Sequence, residues 1–276
     1  MPLFFFIAGI FSLPKLNSLI DFNIIDFIKK RFLRLMVPYF FVGLCYAPFK
    51  VLLSKFANRA YDTSRLWEIL IGNNPDGELW FLYALFIITC FSATTLFKVP
   101  AWSLPLYVLI FLVHPKLPCY SIVHSISENI LFFMLGLYVA KNKINISQLL
   151  TKFNFCIISI IYFISNYGLY VLGYHSMKIA TALSGIFITL WISQKIQIID
   201  NKISHFIITL GVLSMDIYIL SDIIKIPFRI IFWNKLHLYY PSFIICSCMA
   251  IFLSYTFSVH VIRKNKLLSK LIFGIQ

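Results

Sequence analysis

Residues 79–97 read LWFLYALFIITCFSATTLF, nineteen in a row without a charge. A helix of about 20 predominantly apolar residues crosses a ~30 Å hydrocarbon core, so this stretch reads as a bilayer span. Further apolar runs lie at approximately 1–13, 35–53, 99–113, 126–140, 154–173, 177–193, 205–221 and 241–262. That makes nine segments, and no loop between them exceeds about 25 residues, too few for an independent soluble domain. Composition agrees: 60% of the 276 residues are hydrophobic and 12% charged, against roughly half and about a quarter in soluble domains. A mean hydropathy of +0.87 excludes a disordered chain. The expected fold is all-α, a polytopic transmembrane helix bundle in which residues 1–276 form one domain.

The net charge of +14 comes from 24 Lys and Arg against 10 Asp and Glu. In a soluble domain it would suggest nucleic acid; here the positive-inside rule accounts for most of it, and no nucleic-acid partner is expected. Alternating the loops places Lys15, Lys29, Lys30, Arg31, Arg34, Lys98, Lys141, Lys143, Lys152, Lys195, Lys202, Arg263, Lys264, Lys266 and Lys270 on one side. The other side holds Lys50, Lys55, Arg59, Arg65, Lys116, Lys178, Lys225, Arg229 and Lys235, with the acids Asp62, Glu68, Asp76, Glu78 and Asp222. The excess puts the first set, and the C-terminus, in the cytoplasm beside anionic lipid headgroups. The first run stops at Pro14 and Lys15, too short to span, and it lacks the basic n-region and cleavage site of a signal peptide. Restoring one helix before it would give ten spans with both termini inside.

The six cysteines form no CxxC pair, and all but Cys119 lie within apolar runs, so they read as small membrane residues. The six histidines form no HxxH or HExxH pattern, so no metal site is expected. Pro2, Pro38, Pro105 and Pro227 sit in or near apolar runs, where neighbouring helices satisfy the freed carbonyls. No internal period or matched pair of broken helices marks an inverted-repeat transporter.

Three stretches carry polar groups that need explaining. In KKRFLRLMVPY (29–39), Arg31 and Arg34 are three apart and share a helix face, where they can fork onto one phosphate or pyrophosphate. Topology and lipid contact are the competing reading. In NNPDGELWFLY (73–83), Asp76-Gly77 is a turn, Glu78 suits a helix N-terminus, and Trp80 and Tyr83 suit an interfacial belt. An acidic turn beside aromatic rings is also how a sugar-binding rim is built. In LGVLSMDIYILSD (210–222), Asp216 falls within an apolar run, expensive in the bilayer and a functional candidate by default. Its partner must come from another helix, since Tyr218 lies on a different face. Glu128, in Ser125-Ile126-Ser127-Glu128, reads as a capping box opening the 126–140 helix.

Together these stretches resemble membrane-bound acyltransferase family 3, particularly its sugar and polysaccharide O-acetyltransferases. Met1 to Gly9 (MPLFFFIAG) resembles the family's second-helix motif, Arg31–Arg34 with Pro38-Tyr39 its RxxR motif, Leu79–Tyr83 its LWFL helix start, and Gly211–Tyr218 its Gly-x-x-Ser-x-x-Ile-Tyr helix. The resemblance implies a ten-helix bundle passing an acyl group, commonly acetyl from acetyl-CoA, to a hydroxyl of an envelope or exported glycan in the bacterial plasma membrane. Arg31 and Arg34 match the motif assigned to the acyl-CoA, which is a donor substrate; no tightly bound cofactor is expected. Asp216 is the catalytic candidate, and Glu78, Trp80 and Tyr83 the acceptor rim. The family's catalytic histidine lies in a first helix preceding this sequence, and its frequent histidine after Ile-Tyr is replaced by Ser221 and Asp222. The resemblance therefore implies a chain truncated at its N-terminus, which as it stands inserts into membranes without transferring acetyl. Should it turn over, His124 beside Glu128 is the first substitute base to consider. The rival functional classes are a multi-pass transporter or flippase of glycan intermediates and a non-catalytic membrane scaffold.

Overall fold

The computed structural model describes residues 1–13, 23–52, 63–95, 99–117, 122–145, 152–173, 177–199, 201–235, 237 and 239–274. Lys15, Lys55, Arg59, Asp62, Lys98, Cys119 and His175 lie outside the described residues. The regular structure among the described residues is helical throughout. The α-helices are α1 (Pro2–Ile10), α2 (Ile24–Leu52), α3 (Trp80–Thr94), α4 (Leu104–Val113), α5 (Ile122–Lys141), α6 (Lys152–Tyr170), α7 (Met177–Ile198), α8 (Lys202–Val212), α9 (Ser214–Arg229), α10 (Tyr239–Phe257) and α11 (Lys266–Phe273). A 3₁₀ segment, Thr63–Ile71, lies ahead of α3.

Each expected apolar run holds helix. Among the described residues, α2, α5, α7 and Phe243–Ile262 are long and apolar enough to cross a membrane, and the pair α8 with Ser214–Phe232 counts as a fifth if taken as one broken span. Trp80–Thr94, Ala101–Lys116 and Asn154–Tyr170 are shorter apolar helices. The chain is an all-α, polytopic membrane protein.

Three local expectations are corrected. Helix α5 opens at Ile122, ahead of the presumed cap. Ser127 is already inside it, its hydroxyl donating to the Val123 carbonyl at 2.8 Å, as mid-helix serines do. Glu128 is consequently not a cap; it pairs with Lys178 at the start of α7. The 205–221 run is not one helix, because it breaks at Leu213 with a 77° bend between its halves. Gly211 lies beside the break, and among the described residues no group outside its own stretch of helix stands within 4 Å of its Cβ position; a helix interrupted near glycine bends easily. Finally, the C-terminal tail carries α11, whose Asn265 side chain accepts from the Leu267 and Leu268 amides. Hydropathy misses so short a helix when Lys266 and Lys270 dilute it.

The chain divides into two compact units. The first comprises Met1–Phe22 and Phe91–Ile208. Here α1 and α5 cross on reciprocal glycines: a Cβ on Gly9 would stand 2.2 Å from the Phe133 carbonyl oxygen, and one on Gly136 would stand 2.0 Å from that of Phe6. Small residues allow such backbone contact, and dispersion between close-packed backbones drives helix association where lipid offers no hydrophobic gain. Helices α6 and α7 pair through Phe155 stacked on Trp191, with ring centroids 4.0 Å apart.

The second unit comprises Asn23–Cys90 and Thr209–Gln276. Its core includes Tyr39 of α2, Leu82 and Ile88 of α3 and Ile219 of α9, all essentially solvent-free. Helix α2 contains Pro38 and Pro48. Proline at 38 deprives the Arg34 carbonyl of its intrahelical donor, and α11 packs on α2 at that place, Gly274 lying against the Arg34 backbone.

Candidate functional site

The polar groups of the second unit gather at two levels of α2. At one end, Arg31 and Arg34 occupy the first turns of the helix beside Lys29 and Lys30. The Arg31 guanidinium lies 5.1 Å from the Phe27 ring centroid, and Arg34 is exposed. On α11, which packs on this helix, Lys266 and Lys270 are exposed. The result is a cationic end suited to a polyanionic ligand.

Asp216 lies in the first turn of α9, just beyond the Leu213 bend, and is 3% exposed. Its Oδ2 accepts from the Ser258 hydroxyl at 2.6 Å and from Arg263 Nε at 2.7 Å. Both partners follow α10, so the carboxylate ties the bend to the end of another helix, as the cost of an intramembrane charge requires. Tyr218, two residues on, points elsewhere: its hydroxyl donates to the Glu78 carbonyl.

At the other end of α2 stands the loop before α3, folded by its own side chains. The Asp76 amide donates to Asn74 Oδ1 and the Glu78 amide to Asp76 Oδ1, both at 3.0 Å. Two successive Asx turns thus carry the chain into α3. The loop docks on α2 through Asn74 Nδ2, which donates to the Tyr39 carbonyl at 3.0 Å. The approach requires Gly43, since a Cβ there would stand 2.4 Å from Asn74 Nδ2. Lys50 Nζ donates to the Pro75 carbonyl at 2.8 Å, while the Tyr39 and Tyr83 hydroxyls donate to the Ile69 and Leu70 carbonyls. Next to this loop the Tyr46 hydroxyl donates to Asp222 Oδ2 at 2.8 Å.

Within this arrangement Asp76 is 1% exposed, and its Oδ2 has no hydrogen-bond partner among the described residues. Burial, reinforced by the Asp222 charge, raises its carboxyl to about 7, with the Glu78 amide and Lys50 opposing. The sequence marks Asp76 only as half of a turn dipeptide; nothing local announces its burial.

The profile of a family described as an acyltransferase domain, acyltransferase 3, matches residues 1–259. The chain belongs to this family. It is accordingly a membrane acyltransferase. No curated protein and no solved structure matches. The matched region of this acyltransferase takes in Arg31, Arg34, Asp76, Glu78, Trp80, Tyr83, Asp216 and Ser258, and stops short of Arg263 and α11.

The structure brings Glu78 to Tyr218, places the Tyr83 ring against Tyr39 with centroids 5.3 Å apart, and sets Trp80 at the first position of α3. In the acyltransferase's first unit, His124 lies edge-on to His114 with centroids 5.0 Å apart, while Glu128, one turn along α5, is engaged by Lys178. Among the described residues no three His, Cys, Asp or Glu side chains gather in a way that would hold a metal ion.

Proposed function

We propose that the protein is an O-acyltransferase of the bacterial plasma membrane, C-terminus cytoplasmic, that moves an acyl group, acetyl the expected one, from acyl-CoA to a hydroxyl of an envelope or exported glycan. The observation that carries the donor half is the paired Arg31 and Arg34 on α2, in a chain that matches an acyltransferase family over residues 1–259. A nucleotide carrying a diphosphate and a further phosphate needs such cations, and the 15-to-9 distribution of basic residues favours the cytoplasm for that end. From Arg34 to Tyr46 is about 18 Å along α2 at ~1.5 Å per residue. A donor held by its phosphates at the arginines would direct its pantetheine arm along the bundle toward the loop end, where Glu78, Trp80 and Tyr83 form the acceptor rim. Asp216 serves as the buried counter-ion that fixes α9 in place.

The test is Arg31→Ala combined with Arg34→Ala. Lys29 and Lys30 remain to hold topology, so insertion should be normal while acetyl-CoA binding weakens by at least about 100-fold, two charge-assisted contacts being worth roughly 1.5–3 kcal/mol each. Wild-type accumulation with undiminished acetyl-CoA binding and glycan acylation would remove the arginines from the donor site.

A further inference from the structure

The family profile ends at residue 259, yet the helix beyond it, α11, packs on α2, with which it shares the second unit. Helix α11 is held at both ends. Ahead of it, Arg263 Nε donates to the buried Asp216 at 2.7 Å, and the Asn265 side chain caps the first turn. Behind it, Gly274 has a φ of 62°, a left-handed conformation natural to glycine, and a Cβ there would stand 2.6 Å from the Arg34 Cα. So short a helix is marginal by itself. These contacts therefore decide where its lysines stand.

Lys270 lies four residues before Gly274, on the same side of α11 and about 6 Å along its axis at ~1.5 Å per residue. Ser269 and Phe273 are buried while Lys270 is exposed, which puts its flexible four-carbon stem at the edge of the packed face, one turn from the Arg34 backbone. Arg34 is exposed as well. Charge points the same way. Arg65, Lys178 and Arg263 are each paired with a carboxylate. Among the described residues Arg31, Arg34, Lys266 and Lys270 have no such partner, and Asp26 is the only acid on α2 or α11. The positive-inside rule accounts for the side of the bilayer these cations take. It does not call for a helix outside the family profile to be fastened to the turn that carries Arg34.

We infer that Lys270 is a third phosphate ligand of the donor site, holding the 3′-phosphate of acyl-CoA beside the diphosphate that Arg31 and Arg34 hold. The assignment rests on the donor site proposed above. A forked guanidinium pair suits the two adjoining phosphates of the diphosphate, and a lysine ammonium, a compact point charge, suits the single phosphate on the neighbouring ribose. Gly274 and the Asp216–Arg263 ion pair are positioning residues: they set α11 against α2 and touch no phosphate themselves.

The experiment uses the full chain in phosphatidylcholine nanodiscs and measures binding of CoA and of dephospho-CoA, which lacks the 3′-phosphate. Wild type is expected to prefer CoA by at least about 10-fold, the worth of one charge-assisted contact. Lys270→Ala is expected to weaken CoA by that factor while dephospho-CoA stays within about twofold of wild type, and Lys270→Arg to keep the preference. Gly274→Ala, which displaces α11 from Arg34 without removing a charge, is expected to reduce the same preference. Arg31→Ala with Arg34→Ala is expected to weaken both nucleotides. A preference for CoA that survives Lys270→Ala, or equal affinity of wild type for the two nucleotides, overturns the third ligand and leaves the arginine site standing. Loss of both nucleotides alike in Lys270→Ala marks a structural role and overturns it too. So does a Lys270→Ala variant that binds CoA normally and loses only its retention of phosphatidylglycerol in mixed nanodiscs, which would give the lysine to lipid headgroups. Failure of wild type to bind either nucleotide overturns the donor site as well.

Discussion

Asp216 illustrates what a single charge does inside an apolar helix. Its Oδ2 is shared by Ser258 and Arg263, and Arg263, with 36% of its side chain exposed, leads that charge toward solvent. Asp216→Leu is expected to lower stability by about 1–3 kcal/mol, because it strips the carboxylate from two donors. Asp216→Asn, which keeps an acceptor for Ser258 and loses the ion pair, should fall between. Thermal unfolding in detergent decides: midpoints equal to wild type in both variants would deny the carboxylate any role in anchoring the α9 bend. At this scale the sequence is informative in one direction only. A carboxylate in an apolar run is conspicuous, and so is an Arg pair at helical spacing. Asp76 is not, because Asp-Gly is ordinary turn chemistry, and the loop that buries it docks on α2 through Asn74 and Tyr39, 35 residues apart in the chain.

Helices were legible where apolar length decides and illegible where it does not. The runs at 79–97 and 177–193 became α3 and α7 because about twenty apolar residues leave a helix as the economical way to satisfy backbone amides. The Leu213 break is silent in hydropathy, since both halves are apolar. The Ser125–Glu128 pattern misled because a capping signature means nothing once Ile122 and Val123 already continue the helix upstream. The MPLFFFIAG stretch acquires a physical meaning only in the structure, where Gly9 meets the α5 backbone and Gly136 meets that of α1. Gly136→Ala would put a methyl 2.0 Å from the Phe6 carbonyl oxygen, and forcing the two helices apart should cost about 1–3 kcal/mol. Its unfolding midpoint in detergent should drop clearly below wild type, whereas an unchanged midpoint would show that α1 and α5 do not cross in backbone contact at Gly136.

For the whole molecule, the +14 charge and the +0.87 mean hydropathy agree with a chain that crosses a bilayer, in which cations gather in the loops of one side under the positive-inside rule. That much was legible in composition. The two compact units were not, because contacts between segments as distant as Asn23–Cys90 and Thr209–Gln276 leave no local trace. In the function proposed above, acyl-CoA held at Arg31 and Arg34 supplies an acyl group to a hydroxyl acceptor at the loop end of α2. Sealed vesicles of known orientation, with labelled acetyl-CoA supplied to one face at a time, put this to the test. The prediction is label in the glycan when acetyl-CoA meets the face carrying Arg31 and Arg34, and little when it meets the other. Equal labelling from both faces, or labelling that persists after Arg31→Ala with Arg34→Ala, would contradict it.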